Sequence, residues 1–212
     1  MNHKHGLNHF DILYFINLDR RPDRLKHITN ELNKTNININ KINLIHGCDM
    51  PNFGALGCAK SHIMALEKFL QTDESIQTCI IIEDDLWFIQ NQDYINNIIN
   101  KFLIEFPEYD VLSLAMSIYE STPVSDYAVK ILRGQTLSGY CVTKKFAKIL
   151  LDNFKESSNI LEKIGYKVCE YCLDNYMERL QPKSNWYCLF PKIAKQIESY
   201  SDIEKCYVNY KS

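Results

Sequence analysis

The stretch Cys79-Ile80-Ile81-Ile82-Glu83-Asp84-Asp85-Leu86-Trp87-Phe88 constrains this chain more than any other. Strand-forming residues run straight into three consecutive carboxylates and then back into bulky apolar side chains. A continuous apolar run of this kind reads as a strand buried on both faces, at the centre of a parallel sheet. Adjacent acids at its end repel one another, and a nearly buried carboxylate is costly unless a cation or hydrogen bonds compensate. In an extended conformation Glu83 and Asp85 point to one side and Asp84 to the other. Two oxygen ligands then converge, as a hard divalent cation such as Mn²⁺ or Mg²⁺ requires. The alternative is an acidic turn that caps the next helix, although turn acids are seldom flanked by Ile-Ile-Ile and Leu-Trp-Phe.

The rest of the chain supplies a frame for such a strand. Asp11 to Leu18 is a first apolar, β-branched strand that breaks into Asp19-Arg20-Arg21-Pro22-Asp23-Arg24. Pro22 suits the first turn of a helix carrying Leu25, Ile28 and Leu32 inward. A short strand over 41–46 and a turn at Gly47 to Pro51 precede a helix opened by Gly54-Ala55-Leu56-Gly57 and running to about Gln71. Further on, the spacing predicts a helix from Gln92 to Phe106 ended by Pro107, and a strand over Asp110 to Ala115. Two short strands follow (Ala128 to Leu132 and Leu137 to Thr143), then a helix from Lys144 to Phe154 and another from Gly165 to Leu180. Alternating strands and helices over the first part imply βαβ units. The expectation is an α/β single domain with a central, mostly parallel but mixed sheet flanked by helices. It spans 11–212, after a flexible polar lead-in over 1–10.

Composition narrows the function classes. The 212 residues are 46% apolar and 24% charged, with a net charge of −2 and no basic patch, so nucleic-acid binding has no electrostatic support. No window approaches the ~20 apolar residues of a membrane span, and the first residues have no secretory-signal core. The expected compartment is therefore the cytoplasm, or the host cytoplasm or virion for a viral protein. The eight cysteines then read as free thiols. Cys169 and Cys172 have CxxC spacing but no second pair to complete a zinc site, and they fall in a helical pattern.

In a sheet of this kind ligands bind beyond the carboxyl ends of the strands. The first strand delivers Asn17, Arg20, Arg21 and Arg24 there, and the acidic strand delivers Glu83, Asp84 and Asp85. Basic and acidic clusters on one crest suit a metal-chelated diphosphate: carboxylates hold the metal and guanidinium groups take the remaining charge. The arginines alone would read as a solvated helix start. A GxxxxGK[ST] loop, a GxGxxG turn after the first strand and a GxSxG elbow are all absent.

Three blocks carry a resemblance: Ile16-Asn17-Leu18-Asp19-Arg20-Arg21-Pro22-Asp23-Arg24, then Gly54-Ala55-Leu56-Gly57-Cys58 with Ser61-His62, then Ile82-Glu83-Asp84-Asp85. In order and approximate spacing they resemble the glycosyltransferases of family 25. That family groups bacterial lipooligosaccharide galactosyltransferases with collagen hydroxylysine galactosyltransferases and has giant-virus members. Weaker echoes run through Ser138 to Thr143, Asp174, Gln196 and Ser201-Asp202-Ile203.

The resemblance implies a GT-A-like fold, a UDP-sugar donor (usually UDP-galactose), a glycan or protein hydroxyl as acceptor, and a divalent metal, commonly Mn²⁺. Glu83 and Asp85 stand where the family's counterpart of the DxD motif binds metal, with Asp84 between them. Asn17, Arg20, Arg21 and Arg24 fall near the nucleotide, and Gly57 and His62 near the donor; on its own His62 reads equally as a satisfied core histidine. An inverting displacement needs a carboxylate opposite the leaving group, and Asp174 of the late acidic motif is the candidate base. Its alternative is an exposed helix acid. No histidine follows His62, so Gln196, Asp202 or water would supply the further metal ligand. Two other readings share these residues: a Mg²⁺-dependent nucleotidyl- or phosphotransferase, and a non-catalytic nucleotide-sugar-binding module.

Overall fold

The first strand, β1 (Ile12–Asn17), lies between β2 (Ile42–His46) and β3 (Thr78–Glu83) and runs parallel to both. A computed structural model describes residues 5–201, 203 and 205–208. Helix α1 (Pro22–Asn33) joins β1 to β2, and α2 (Gly54–Leu70) joins β2 to β3. Pro22 occupies the first turn of α1, where a missing N–H costs nothing. After β3 come the short β4 (Leu86–Phe88), α3 (Gln92–Glu105), the long hairpin β5 (Val111–Ser125) and β6 (Ala128–Thr143), and α4 (Lys144–Ile164). The chain ends with α5 (Leu173–Tyr176), β7 (Trp186–Leu189), β8 (Ala194–Gln196) and a small hairpin of β9 (Ser199–Ser201) and β10 (Cys206–Val208).

The main sheet has the order β2-β1-β3-β6-β5-β7, with β6 antiparallel to β3 and to β5. It is the mixed, helix-flanked sheet expected. The apolar run sits at its centre, where Ile80, Ile81 and Ile82 are fully buried. Alternation sends Ile80 and Ile82 into a core with Ile28 and Leu32 of α1 and Ile99 and Phe102 of α3. Ile81 enters the opposite core, with Leu66 and Phe69 of α2 and Leu150 and Phe154 of α4. Packed on both faces, the strand brings its terminal carboxylates to the crest between β1 and β6. No helix among the described residues is long and apolar enough to cross a membrane.

Several elements differ from expectation. The strand does not continue through the acids: β3 stops at Glu83, Asp84 and Asp85 form a turn, and β4 leaves the sheet to pair with β8. Helix α1 draws β4 aside, through His27 Nε2 on the Leu86 carbonyl at 2.9 Å and the Phe88 N–H donating to Glu31 Oε2 at 3.1 Å. The two short strands over 128–143 are one strand, β6, which a series of register shifts against β5 allows to bend. Helix α4 runs to Ile164, because Ser157 and Ser158 are buried, Ser157 donating to the Tyr171 carbonyl at 2.7 Å. Gly165, at φ +82°, ends it in the left-handed conformation glycine favours. The helix expected over 165–180 is instead a chain of short turns, and Cys169 lies in one of them.

Residues 5–10, expected within the flexible lead-in, pack onto α3. Leu7 and Phe10 are buried, and Gly6 N and His9 Nε2 each meet Asn100 Oδ1 at 2.9 Å. Residues 1–4 lie outside the described residues.

Gly57 fixes how α2 meets the turn after β2. A Cβ there would lie 2.5 Å from the Cys48 carbonyl oxygen. Ser61 Oγ locks the same contact, accepting from Cys48 N at 2.8 Å and donating to the Gly57 carbonyl at 2.7 Å. Gly57→Val is expected to lower unfolding free energy in urea titration by about 1–3 kcal/mol, since the obstructing atom is backbone. Gly57→Ala costs less, as alanine regains roughly 1 kcal/mol of helix propensity.

Candidate active site

The carboxyl ends of β1 and β3, the start of α2 and the β9–β10 hairpin enclose a cleft. Glu83, Asp84 and Asp85 all line it, along with Arg20, Arg24 and His62. The predicted alternation, with Asp84 turned away, does not hold, because the turn swings both aspartates to the same guanidinium. Arg24 Nη1 lies 3.0 Å from Asp84 Oδ1 and 3.0 Å from Asp85 Oδ2. Its Nη2 donates to Ser199 Oγ at 2.8 Å and to the Tyr200 carbonyl at 3.0 Å. Asn17 and Gln196 complete the support, donating to Asp84 Oδ2 at 2.7 Å and to Asp85 Oδ2 at 2.9 Å. Glu83 is held separately: its Oε1 meets His62 Nε2 at 3.1 Å and Cys58 Sγ at 3.4 Å.

These environments split the three acids. Burial raises Asp85, aided by the charge of Glu83, and together they push its pKa up to about 7 against the pull of Arg24. Burial likewise outweighs Arg24 and Asn17 at Asp84, which is raised. Glu83 is also penalised by burial, yet its hydrogen bond and charge interaction with His62 hold it below the usual value. Two of the three acids thus share one guanidinium. Among the described residues Asp85 Oδ1 and Arg24 Nε are buried without a hydrogen-bond partner. An unpartnered buried carboxylate oxygen beside two further acids fits a bound divalent cation, and an unpartnered guanidine N–H fits an anionic oxygen. Hard oxygen donors are the right chemistry for Mn²⁺ or Mg²⁺.

The other predicted residues divide. Arg20 lines the cleft and pairs with Asp49 at 2.8 Å. Gly57 lines it through backbone, and His62 is fully buried with Nδ1 3.2 Å from the Tyr140 hydroxyl. Asn17 sits under Asp84 without lining the cleft, and Arg21 turns along α1 to pair with Asp23 at 2.8 Å. Asp174 lines a second cleft that shares Cys58, Glu83, Gln196 and Ile203 with the first. Burial raises the Asp174 carboxyl; the Thr136 backbone N–H opposes this and the charge of Glu83 adds to it. Thr136 holds φ at +70°, an unusual conformation for a β-branched residue. Asp202 falls outside the described residues.

Cys58, Ser199 and the turn from Cys48 to Pro51 also line the cleft. A single cysteine on a helix reads as a small hydrophobe, and nothing local marks the short C-terminal strands. Position within the Gly57-Cys58…Ser61-His62 block was the available signal for Cys58.

Comparison with known proteins bears on the family and the fold. The sequence profile described as glycosyltransferase family 25 (LPS biosynthesis protein) matches residues 52–164, which include Gly57, His62 and all three crest acids. No curated protein sequence matches the chain. Among solved structures the fold is similar to A197 from STIV, with TM-score 0.52 and 15% identity over 94% of this chain and 93% of that one. It is similar too to a glycosyltransferase involved in glycosylation of the major capsid of PBCV-1, with TM-score 0.51 and 11% identity over 92% of this chain and 95% of that one.

The two supports of the acidic turn should differ in energetic weight. Removing a partner from buried charges leaves them uncompensated, so Arg24→Gln is expected to cost about 3–5 kcal/mol in urea unfolding. Asn17→Ala, which removes one hydrogen bond to a charged group, is expected to cost about 1.5–3 kcal/mol. Equal, small effects would contradict the central position given to Arg24.

Proposed function

Because this chain belongs to glycosyltransferase family 25, we propose that it moves a sugar, galactose, from a UDP-sugar to a hydroxyl of a glycan or protein acceptor, with inversion and with a divalent metal bound. The observation that carries the reading is the unpartnered Asp85 Oδ1 in a cleft where Asp84 and Asp85 share one arginine and Glu83 stands beside them. Glu83 and Asp85 would hold Mn²⁺ or Mg²⁺. When bound, the metal supplies charge stabilisation to the departing diphosphate. Arg20 and Arg24, which line the same cleft, bind diphosphate oxygens, Arg24 having an unpartnered Nε. Asn17 orients Asp84 from below, and Gln196 orients Asp85.

The acceptor hydroxyl enters the second cleft, where Asp174 takes its proton. Glu83 and Asp85 face the leaving group and are unsuited to this step. The two clefts share a wall, so nucleophile and donor meet there without either substrate crossing the fold. The Thr136 N–H favours the ionised form of Asp174.

Calorimetric titration with UDP in the presence and absence of Mn²⁺ tests the metal. Wild type is expected to bind UDP at least about tenfold more tightly with Mn²⁺, a difference of about 1.4 kcal/mol, and Asp85→Ala to lose that gain. UDP binding that ignores metal and is unchanged in Asp85→Ala would sink the assignment. A screen of UDP-sugars for UDP release identifies the donor, with UDP-galactose expected to be turned over fastest.

The base has its own signature. Asp174→Asn is expected to lower turnover by about 10²–10⁴-fold with donor affinity unchanged. Asp174 acts only when ionised, and its pKa lies above the ordinary carboxylate value, so kcat falls as pH is lowered through that raised value. A kcat–pH profile with its acidic limb near an unperturbed ~4 would remove Asp174 from the role.

A further inference from the structure

Cys58 and His62 are separated by four positions on α2, which puts both side chains on one helix face, and Glu83 meets them from the end of β3. Cys58 Sγ, His62 Nε2 and Glu83 Oε1 all lie within 4.8 Å of one another. The sulfur-to-oxygen separation is 3.4 Å and the nitrogen-to-oxygen separation 3.1 Å. Ligands at zinc bond lengths in a tetrahedron stand about 3.3–3.6 Å apart, so both separations to the Glu83 oxygen match a bound cation to within a few tenths of an ångström. We propose that Cys58, His62 and Glu83 form a binding site for a thiophilic divalent cation of the zinc type, with its fourth position open to the cleft.

The surroundings suit that role. Tyr140 stacks on the His62 ring at 5.8 Å, Phe154 meets it edge-on at 6.1 Å, and His62 is fully buried. Without metal, His62 Nε2–H donates to Glu83; on loading that proton is released to solvent, Nε2 becomes the ligand atom, and Nδ1–H donates to the Tyr140 hydroxyl 3.2 Å away. The Cys58 proton leaves to solvent as the thiolate–metal bond forms. All three residues line the first cleft, so a cation reaches them without opening the core.

A sulfur, a nitrogen and one carboxylate oxygen make a poor site for Mg²⁺ or Mn²⁺ and a good one for Zn²⁺ or Co²⁺. Occupancy draws Glu83 away from the hard cation proposed to share it with Asp85, so the two cations compete for one carboxylate. That consequence rests on the proposed function; the site itself rests on its own three ligands.

Titration of the full chain with Co²⁺ tests the site by its optical spectrum. A thiolate-to-cobalt charge-transfer band with tetrahedral d–d bands is expected at one cobalt per chain. Zn²⁺ abolishes the bands, and about a hundredfold excess of Mg²⁺ leaves them in place. Cys58→Ser removes the charge-transfer band, whereas the double variant Cys169→Ser, Cys172→Ser and the variant Asp85→Ala keep it. Asp85→Ala thereby separates this site from the hard-cation assignment. X-ray absorption on the zinc-loaded wild type needs no variant, and is expected to show one sulfur with nitrogen and oxygen neighbours. Absence of the band or of the sulfur would overturn the proposal. So would a band that survives Cys58→Ser or depends on Cys169 and Cys172 or on Asp85.

Discussion

Arg24 sits between Asp84 and Asp85, 3.0 Å from each, and the arrangement of the crest depends on that shared guanidinium. Its other nitrogen reaches Ser199 and Tyr200, so one side chain joins the start of α1, the end of β3 and the C-terminal hairpin. It offsets much of the cost of packing Asp84 and Asp85 against a central strand, because a buried carboxylate lacking a partner costs several kcal/mol. Pro22 opens α1, and that start sets where Arg24 can reach. The acidic turn is therefore a tertiary object, although its residues are adjacent in sequence.

Around this contact the fold separates two kinds of surface. The first cleft is charged, lined by Arg20, Arg24 and the three acids. The second holds Asp174 among mainly uncharged residues such as Ser117, Gln135 and Asn175, with Lys167 and Glu83 at its wall. They meet at Cys58, Glu83, Gln196 and Ile203, so Glu83 faces both. The bent β5–β6 hairpin builds part of the second wall, where Thr136 holds an unusual backbone conformation and its N–H favours the ionised form of Asp174. Strain at such a place is consistent with a site that holds a charge in position.

Local pattern made the first half of the fold readable. The buried run before Glu83, the Pro22 helix start and the glycines opening α2 each determine their element within a few residues. The second half depends on distant partners. The β6 strand looks like two because its bend is set by register against β5, and the serines that interrupt α4 in sequence are buried, Ser157 where the Tyr171 carbonyl accepts its hydrogen bond. The site shows the same division. The acids and arginines stand out as a group, but which arginine faces the cleft does not. Arg21 and Arg24 differ by three positions, and the geometry of the helix start sends one to Asp23 and the other to the acids. Cys58 was present in a recognisable block, yet its role depends on Glu83 arriving from another element.

The crest also explains why three acids stand where one would end a strand. Asp84 lines the cleft while held by Asn17 and Arg24. Glu83 and Asp85, one residue removed from each other along the chain, are left in opposed electrostatic settings: His62 keeps the first below the usual carboxylate value, while burial and the first acid's charge lift the second to about 7. A cleft wall built this way carries one firm anion and one reluctant one, with a buried oxygen that no described residue satisfies. Such a wall is less stable than a neutral one would be, and natural sequences break local consistency in this manner where function requires it. On the proposed function a bound cation would remove that deficit, so the feature that weakens the isolated fold would favour the loaded one.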